Sequence, residues 1–250
     1  LDEAIIEALQ QNELDTFFQP IISLPAETCS SAEVLLRWPS QEWQSISPAR
    51  LIDTIYNKGF GKLFIRWLIN TVCQRIAELI AAHKRDILLT INLSVTDLLD
   101  PDLPDLLTQS IALWDITPSN LVIEITESDI LVDEEKVSQV IDKIVLLGCK
   151  LALDDFGTGY SSLSYLTKLP LSQLKIDQSF VRNIGVRHGD SVVVQTIIGM
   201  AKNLNMEVIA EGVETQEQRD FLTQHGCLQF QGYLFGKPTP VVDFEALISK

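Results

Sequence analysis

The sequence predicts an eight-stranded β/α barrel that forms a single domain over residues 1–250. Three observations carry that prediction. Short apolar or β-branched runs alternate with longer segments of helical periodicity, the order that builds parallel sheets with right-handed crossovers. Eight such runs can be counted, which suits a closed barrel better than an open doubly wound sheet. The length of 250 residues is one at which a barrel stays a single domain around one large core.

The elements follow in order. The chain opens on an amphipathic helix, LDEAIIEAL, with no initiating Met or signal-peptide pattern, so a domain cut from a longer protein is expected. The runs FFQPII and AEVLLRW are separated only by SLPAETCSS, too short for a helical crossover, so this pair should be antiparallel. ILLTINL leads to the helical segment DLPDLLTQSIALW. LVIEIT leads to EEKVSQVIDKIVLLG, where Val137, Val140, Ile141, Ile144 and Val145 recur at helix spacing and Gly148 supplies a stop. KLALDD precedes SSLSYLTKL, LSQLKI precedes SVVVQTIIGMAKNLN, and EVIAE precedes TQEQRDFLTQHG, whose Thr215 and Gln218 form a capping-box pattern. LQFQGY is the eighth strand.

Composition excludes several function classes. A net charge of -15 argues against a nucleic-acid polymer as partner, because such binding needs a basic footprint. Acidity does not exclude a phosphate substrate, since carboxylates gathered around cations would be neutralised by them. No apolar run approaches the roughly 18 residues that cross a bilayer, so any inner-membrane anchor would lie outside this segment. Cys29, Cys73, Cys149 and Cys227 are scattered without metal-ligand spacing and fit buried thiols in a reducing cytoplasm.

Seven of the runs carry a polar residue suited to metal or phosphate chemistry near their ends: Glu33, Asn92, Glu124, the pair Asp154 and Asp155, Lys175, Glu211 and Gln231. Taken singly, each has an ordinary reading. An Asp-Asp pair caps a loop, Glu33 sits on an edge strand, Lys175 is ion-paired, and Asn92 starts a turn. In a barrel, however, carboxyl strand ends converge on one mouth, so these residues predict one site. Carboxylates and an amide oxygen form a hard donor set that selects Mg²⁺ or Mn²⁺ over zinc. Asp154 could bridge two ions while Asp155 binds the second; ions about 3.5 to 4 Å apart suit phosphodiester cleavage. Lys175 could hold the attacking water, and Glu211 could complete the second site or accept a proton.

The ordered series FQPII, EVLLR, INLS, EITES, DDFGTGYSSLSYL, LKIDQSFV, IAEGVET and QGYLFGKP resembles the EAL domain family of bacterial cyclic di-GMP phosphodiesterases over nearly the whole chain. The resemblance implies a TIM-type (β/α)8 barrel with one antiparallel strand, and hydrolysis of cyclic di-GMP to linear pGpG. It implies a first metal held by Glu33, Asn92, Glu124 and Asp154, and a second by Asp154, Asp155 and Glu211. Lys175 would contact the nucleophilic water, with Glu33, Lys175 and Glu211 forming the catalytic set and Gln231 supporting the metal-water shell. Gln19, Leu35 and Arg37 would meet the substrate, Arg37 pairing with phosphate. Glu127 would anchor the loop that begins Phe156, Gly157, Thr158, Gly159, Tyr160, Ser161, linking the site to a homodimer interface. A sensory or other signalling domain would complete the full-length protein.

The chain also departs from the family pattern. Val34 replaces the alanine of the Glu-Ala-Leu signature, PSQEWQSIS replaces the usual segment after Trp38, and Tyr56 stands where an acidic residue is common. Val34 adds bulk but removes no ligand, and the other two changes spare the ligand set while altering substrate-rim contacts and surface regulation. The alternative is a catalytically silent cyclic di-GMP receptor or interaction module. Members of that kind lose the signature glutamate, an aspartate of the pair or the loop sequence, and this chain keeps all three.

Overall fold

The eight runs become eight strands: β1 (Asp15–Ser23), β2 (Thr28–Arg37), β3 (Leu88–Asn92), β4 (Leu121–Thr126), β5 (Lys150–Phe156), β6 (Gln173–Ile176), β7 (Glu207–Ala210) and β8 (Gln229–Gln231). They pair in sequence order into a closed barrel. The structure, a computed structural model, describes residues 1–40, 46–157 and 163–248. The expected antiparallel element is β1, which runs against both β2 and β8, while every other neighbouring pair is parallel. Only residues 24–27 separate β1 from β2, so no helix can intervene. The antiparallel register sets Gln19 opposite Glu33 and Ile21 opposite Gln231.

Helices wrap the barrel. They are α1 (Asp2–Gln10), α2 (Pro48–Asn57), α3 (Gly61–His83), α4 (Val95–Leu98), α5 (Leu103–Trp114), α6 (Glu127–Val132), α7 (Glu134–Leu147), α8 (Leu163–Lys168), α9 (Gln178–Arg182), α10 (His188–Asn203), α11 (Gln216–Gln224) and α12 (Val241–Ile248). Strand β4 shows why the sheet must be covered on both faces. Five of its six residues are buried, so it reads as a continuous apolar run interrupted by one carboxylate, Glu124. The apolar stripe of α7 (Val137, Val140, Ile141, Ile144) is buried as its spacing requires, and Gly148 ends the helix at φ 104°.

Three capping boxes pin the loops at the mouth. Ser94 with Asp97 starts α4 two residues after Asn92; Thr126 with Asp129 starts α6 two residues after Glu124; Thr215 with Gln218 starts α11 four residues after Glu211. Each cap contributes on the order of 1 kcal/mol and fixes where the chain leaves its strand. Asp129 also accepts from the Val95 amide at 3.0 Å, tying two of these loops together. All four cysteines are buried free thiols. Burial pushes Cys29 up to about 11 and Cys73, Cys149 and Cys227 up to about 12, leaving them inert. No helix among the described residues is long and apolar enough to cross a membrane.

Candidate active site

The barrel brings the polar residues of seven strands to one mouth. Asn92 ends β3, Gln231 ends β8, and Glu211 follows β7 by one residue, held by its amide on the Ile176 carbonyl at 3.1 Å. Glu33 departs from the strand-end expectation, because β2 runs four residues further, to Arg37. It reaches the site from within the strand, where it faces Gln19 on β1 and Thr90 on β3. Glu33 accepts from Asn92 Nδ2 at 2.9 Å and from Gln231 Nε2 at 2.6 Å. Gln231 Nε2 also donates to Gln19 Oε1 at 3.0 Å.

Lys175 stands at the centre. Its side chain is 1 % exposed, and its Nζ lies 2.6 Å from Glu211, 2.7 Å from Glu124, 3.3 Å from Glu33 and 3.7 Å from Asp154. Burial alone would lower a lysine, but the surrounding carboxylates override it and hold Lys175 well above its ordinary range. One ammonium cannot serve them all. Burial raises Glu124 well above the usual carboxylate range despite the lysine beside it, with Glu33, Asp154 and Glu211 adding to the rise. Burial likewise pushes Glu211 up to about 7, and Asp155 up to about 6 with help from Asp154 and Asp177. Glu33 goes the other way. Its burial is outweighed by Lys175 together with the Gln231 and Asn92 hydrogen bonds, which lower it.

The cluster carries more negative than positive charge, and its donor atoms could hold a metal ion. Ligand atoms of Glu33, Glu124 and Glu211 lie within 4.8 Å of one another, as do those of Asp154, Asp155 and Glu211. Glu124 Oε2 and Gln231 Oε1 are buried without a hydrogen-bond partner, a cost of about 1–3 kcal/mol each that a cation or its water would remove. An all-oxygen set of this kind fits hard divalent cations. Glu211 is the residue common to both triads, whereas the sequence suggested Asp154 as the bridge. Asp155 takes positive φ (55°) immediately after Asp154, which lets adjacent carboxylates turn to the same mouth.

A cavity of about 550 Å³ opens over the cage, lined by Gln19, Glu33, Leu35, Asp154, Asp155 and Glu211 with Gln231. Gln178, Gly212, Glu214, Gly232 and Tyr233 complete the lining, and none of them was singled out from the sequence. Each lies within three residues of a cage residue or of Asp177, whose side chain caps α9, inside the motifs KIDQS, AEGVE and QGYLF, so proximity to a strand end was the available signal. Arg37 is not part of this lining. Its Nη1 donates to the Leu36 carbonyl at 2.8 Å, and its guanidinium lies 5.7 Å from the Phe17 ring centroid.

A second, more apolar cavity of about 310 Å³ adjoins the cage. Its walls include Leu35, Ile52, Tyr56, Asn92 and Glu124. The Tyr56 hydroxyl donates to Asp97, 2.6 and 2.8 Å from its two oxygens, so the unusual tyrosine locks α2 to α4 at this rim. Val34 is buried in the core, where its bulk is accommodated. Glu127 is buried at the start of α6, and Phe156 is buried at the end of β5. Gly157 (φ 96°) packs toward Phe180. Thr158, Gly159, Tyr160 and Ser161 lie outside the described residues.

The bifunctional diguanylate cyclase/cyclic di-GMP phosphodiesterase MucR of Pseudomonas aeruginosa is 31% identical over 97% of this chain and 36% of its own length. The cyclic di-GMP phosphodiesterase PdeR of Escherichia coli is 36% identical over 98% of this chain and 37% of its own. The chain thus spans about a third of the length of these curated relatives. A solved structure of the PaMucR phosphodiesterase in complex with c-di-GMP superposes with a TM-score of 0.91 at 31% identity, covering 96% of this chain and 98% of that one. The EAL domain family matches residues 2–238. With that span, and with the carboxylate cage already assembled at the barrel mouth, the chain belongs to the EAL domain family.

Proposed function

We propose that this domain is a metal-dependent phosphodiesterase that hydrolyses one phosphodiester bond of cyclic di-GMP to linear 5′-pGpG. The observation that carries the reading is the cage itself. Several carboxylates crowd one buried lysine in an all-oxygen environment that divalent cations would complete. The substrate comes from the relatives, which are cyclic di-GMP phosphodiesterases, and from the c-di-GMP complex of a structure of the same fold.

Glu33, Asn92, Glu124, Asp154, Asp155 and Glu211 would hold two Mg²⁺ or Mn²⁺ ions, Asn92 through the amide oxygen that its hydrogen bond to Glu33 leaves available. When bound, the ions supply Lewis acidity and lower the pKa of water. The chain does the rest. Lys175 donates to the attacking water and orients its lone pair toward phosphorus, a position secured by burial and by Glu124. As the water oxygen bonds to phosphorus and the P–O3′ bond breaks, Glu211 would accept the water proton, and that proton, passed on through solvent, would protonate the released O3′. Gln231 fixes Glu33 and Gln19 on the opposite wall. Arg37, rotated off the Leu36 carbonyl, pairs with a phosphate oxygen, and Leu35 packs against the nucleotide.

We also propose that the intact protein is a cytoplasm-facing homodimer in which further signalling domains act on this site through Glu127 and the loop after β5. The greater length of the relatives supports additional domains. Incubating the purified domain with cyclic di-GMP and Mg²⁺ or Mn²⁺ tests the reaction. Formation of pGpG is expected; tight binding without product would establish a silent receptor instead.

A further inference from the structure

Resting on the metal-dependent reading above, we propose that Tyr56 is a positioning residue for the metal ligand Asn92, acting through Asp97 and Ser94 to fix the point at which the chain leaves β3. The device is particular to this chain, which carries a tyrosine where an acidic residue is common.

Asn92 is the last residue of β3 and is exposed at the mouth, so its placement rests on the backbone to either side and on the 2.9 Å bond to Glu33. The strand holds one side. On the other, only Leu93 separates it from Ser94, the N-cap of α4. Leu93 is buried, and its amide donates to the Glu124 carbonyl at 2.9 Å. Ser94 is fixed in turn by Asp97, whose carboxylate accepts from the Ser94 amide at 2.9 Å and from its hydroxyl at 2.7 Å. Whatever holds Asp97 therefore holds the exit from β3.

The α4 turn cannot do so unaided. It is four residues long, and a helix of that length depends on tertiary contacts. Asp97 is 5 % exposed, and the donor that reaches it from outside its own loop is the Tyr56 hydroxyl, 2.8 and 2.6 Å from its two oxygens. Lys62, in the charged cavity on the far side of Asp97, is engaged with Asp100 at 2.9 Å instead. Tyr56 is itself held in place. Its ring meets Phe64 edge to face with centroids 6.1 Å apart, and Gly61 makes room for it, since a Cβ there would lie 2.8 Å from the ring. Burial, with Asp97 beside it, keeps the phenol well above its ordinary range, so the hydroxyl retains its proton and donates. An ionised carboxylate at position 56 would offer Asp97 no donor and a second negative charge.

Tyr56→Phe removes the hydroxyl and keeps the ring. Calorimetric titration of the domain with Mn²⁺ in the absence of substrate should show binding weakened about tenfold, the scale expected when an outer partner of a ligand is lost. The Mn²⁺ concentration that half-activates hydrolysis should rise by about the same factor, with kcat at saturating Mn²⁺ within about twofold of wild type. In an Asn92→Ala background the same substitution should change Mn²⁺ affinity by less than about twofold, because the ligand that it positions is gone. A full loss that persists in that background would overturn the route through Asn92. Unchanged Mn²⁺ affinity would overturn the proposal outright: with only a lowered melting temperature Tyr56 is a packing residue, and with a raised KM for cyclic di-GMP it is a substrate contact. Failure of the metal reading would show separately, as absence of Mn²⁺ binding by the wild-type domain, and would take this proposal with it.

Discussion

Replacing Lys175 by Met removes the ammonium that four carboxylates share while keeping most of the side chain's bulk. At an effective dielectric of about 20, each contact near 2.7 Å is worth about 6 kcal/mol of Coulomb attraction. Desolvation of the buried ammonium offsets much of that, and breaking a buried pair on one side costs about 3–5 kcal/mol. For a chain of this size, roughly 2–4 °C per kcal/mol puts the metal-free variant about 10 °C below the wild type at pH 8. The difference should narrow toward pH 5, because Glu124 and Glu211 are already displaced upward and will protonate rather than remain charged without a partner. Thermal melts in EDTA at pH 5 and pH 8 read the stability effect. In saturating Mn²⁺ the variant should still bind cyclic di-GMP but turn it over at least about 100-fold more slowly. Melting within a degree of the wild type at both pH values, or wild-type turnover, would refute this account of Lys175.

In the metal-free wild type, the raised Glu211 and Asp155 favour the protonated forms in the folded state. Stability should therefore be greatest below about pH 4.5 for these groups and decline as pH rises to about 7, by about 3 kcal/mol for Glu211 alone. Denaturant melts with and without Mg²⁺ check this, and the decline should shrink when metal is present. Asp154→Asn keeps the size of the residue but removes a ligand charge; we expect at least a 1,000-fold loss of hydrolysis with circular dichroism unchanged, and residual turnover near wild type would count against the cage. Glu127→Ala should reduce turnover and self-association while leaving the affinity for cyclic di-GMP within about threefold, measured by sedimentation and calorimetry.

Much of this site was legible because strand periodicity is a local property. LVIEIT and KLALDD identify themselves as buried strands that carry carboxylates, and the Thr215 and Gln218 cap is encoded within four residues. The short link between β1 and β2 announced their antiparallel pairing for the same reason. Glu33 was harder to place, since antiparallel pairing with β1 extends β2 beyond it to Arg37, and only the barrel's closure turns a mid-strand residue into a member of the mouth. Gln178, Glu214 and Tyr233 gave no comparable signal, because their relevance depends on which loops stand next to each other.

Alternation, composition and motif order by themselves determined the barrel, the candidate acidic cluster and the family. These follow from side-chain chemistry repeated along the chain. Tertiary structure decided that Lys175 is surrounded by four carboxylates, that Glu211 joins the two candidate metal triads, and that Glu214 and Tyr233 line the same cavity as the cage. The physical reason is that charge balance and shared coordination depend on distances between strands far apart in sequence, and only closure of the barrel sets those distances.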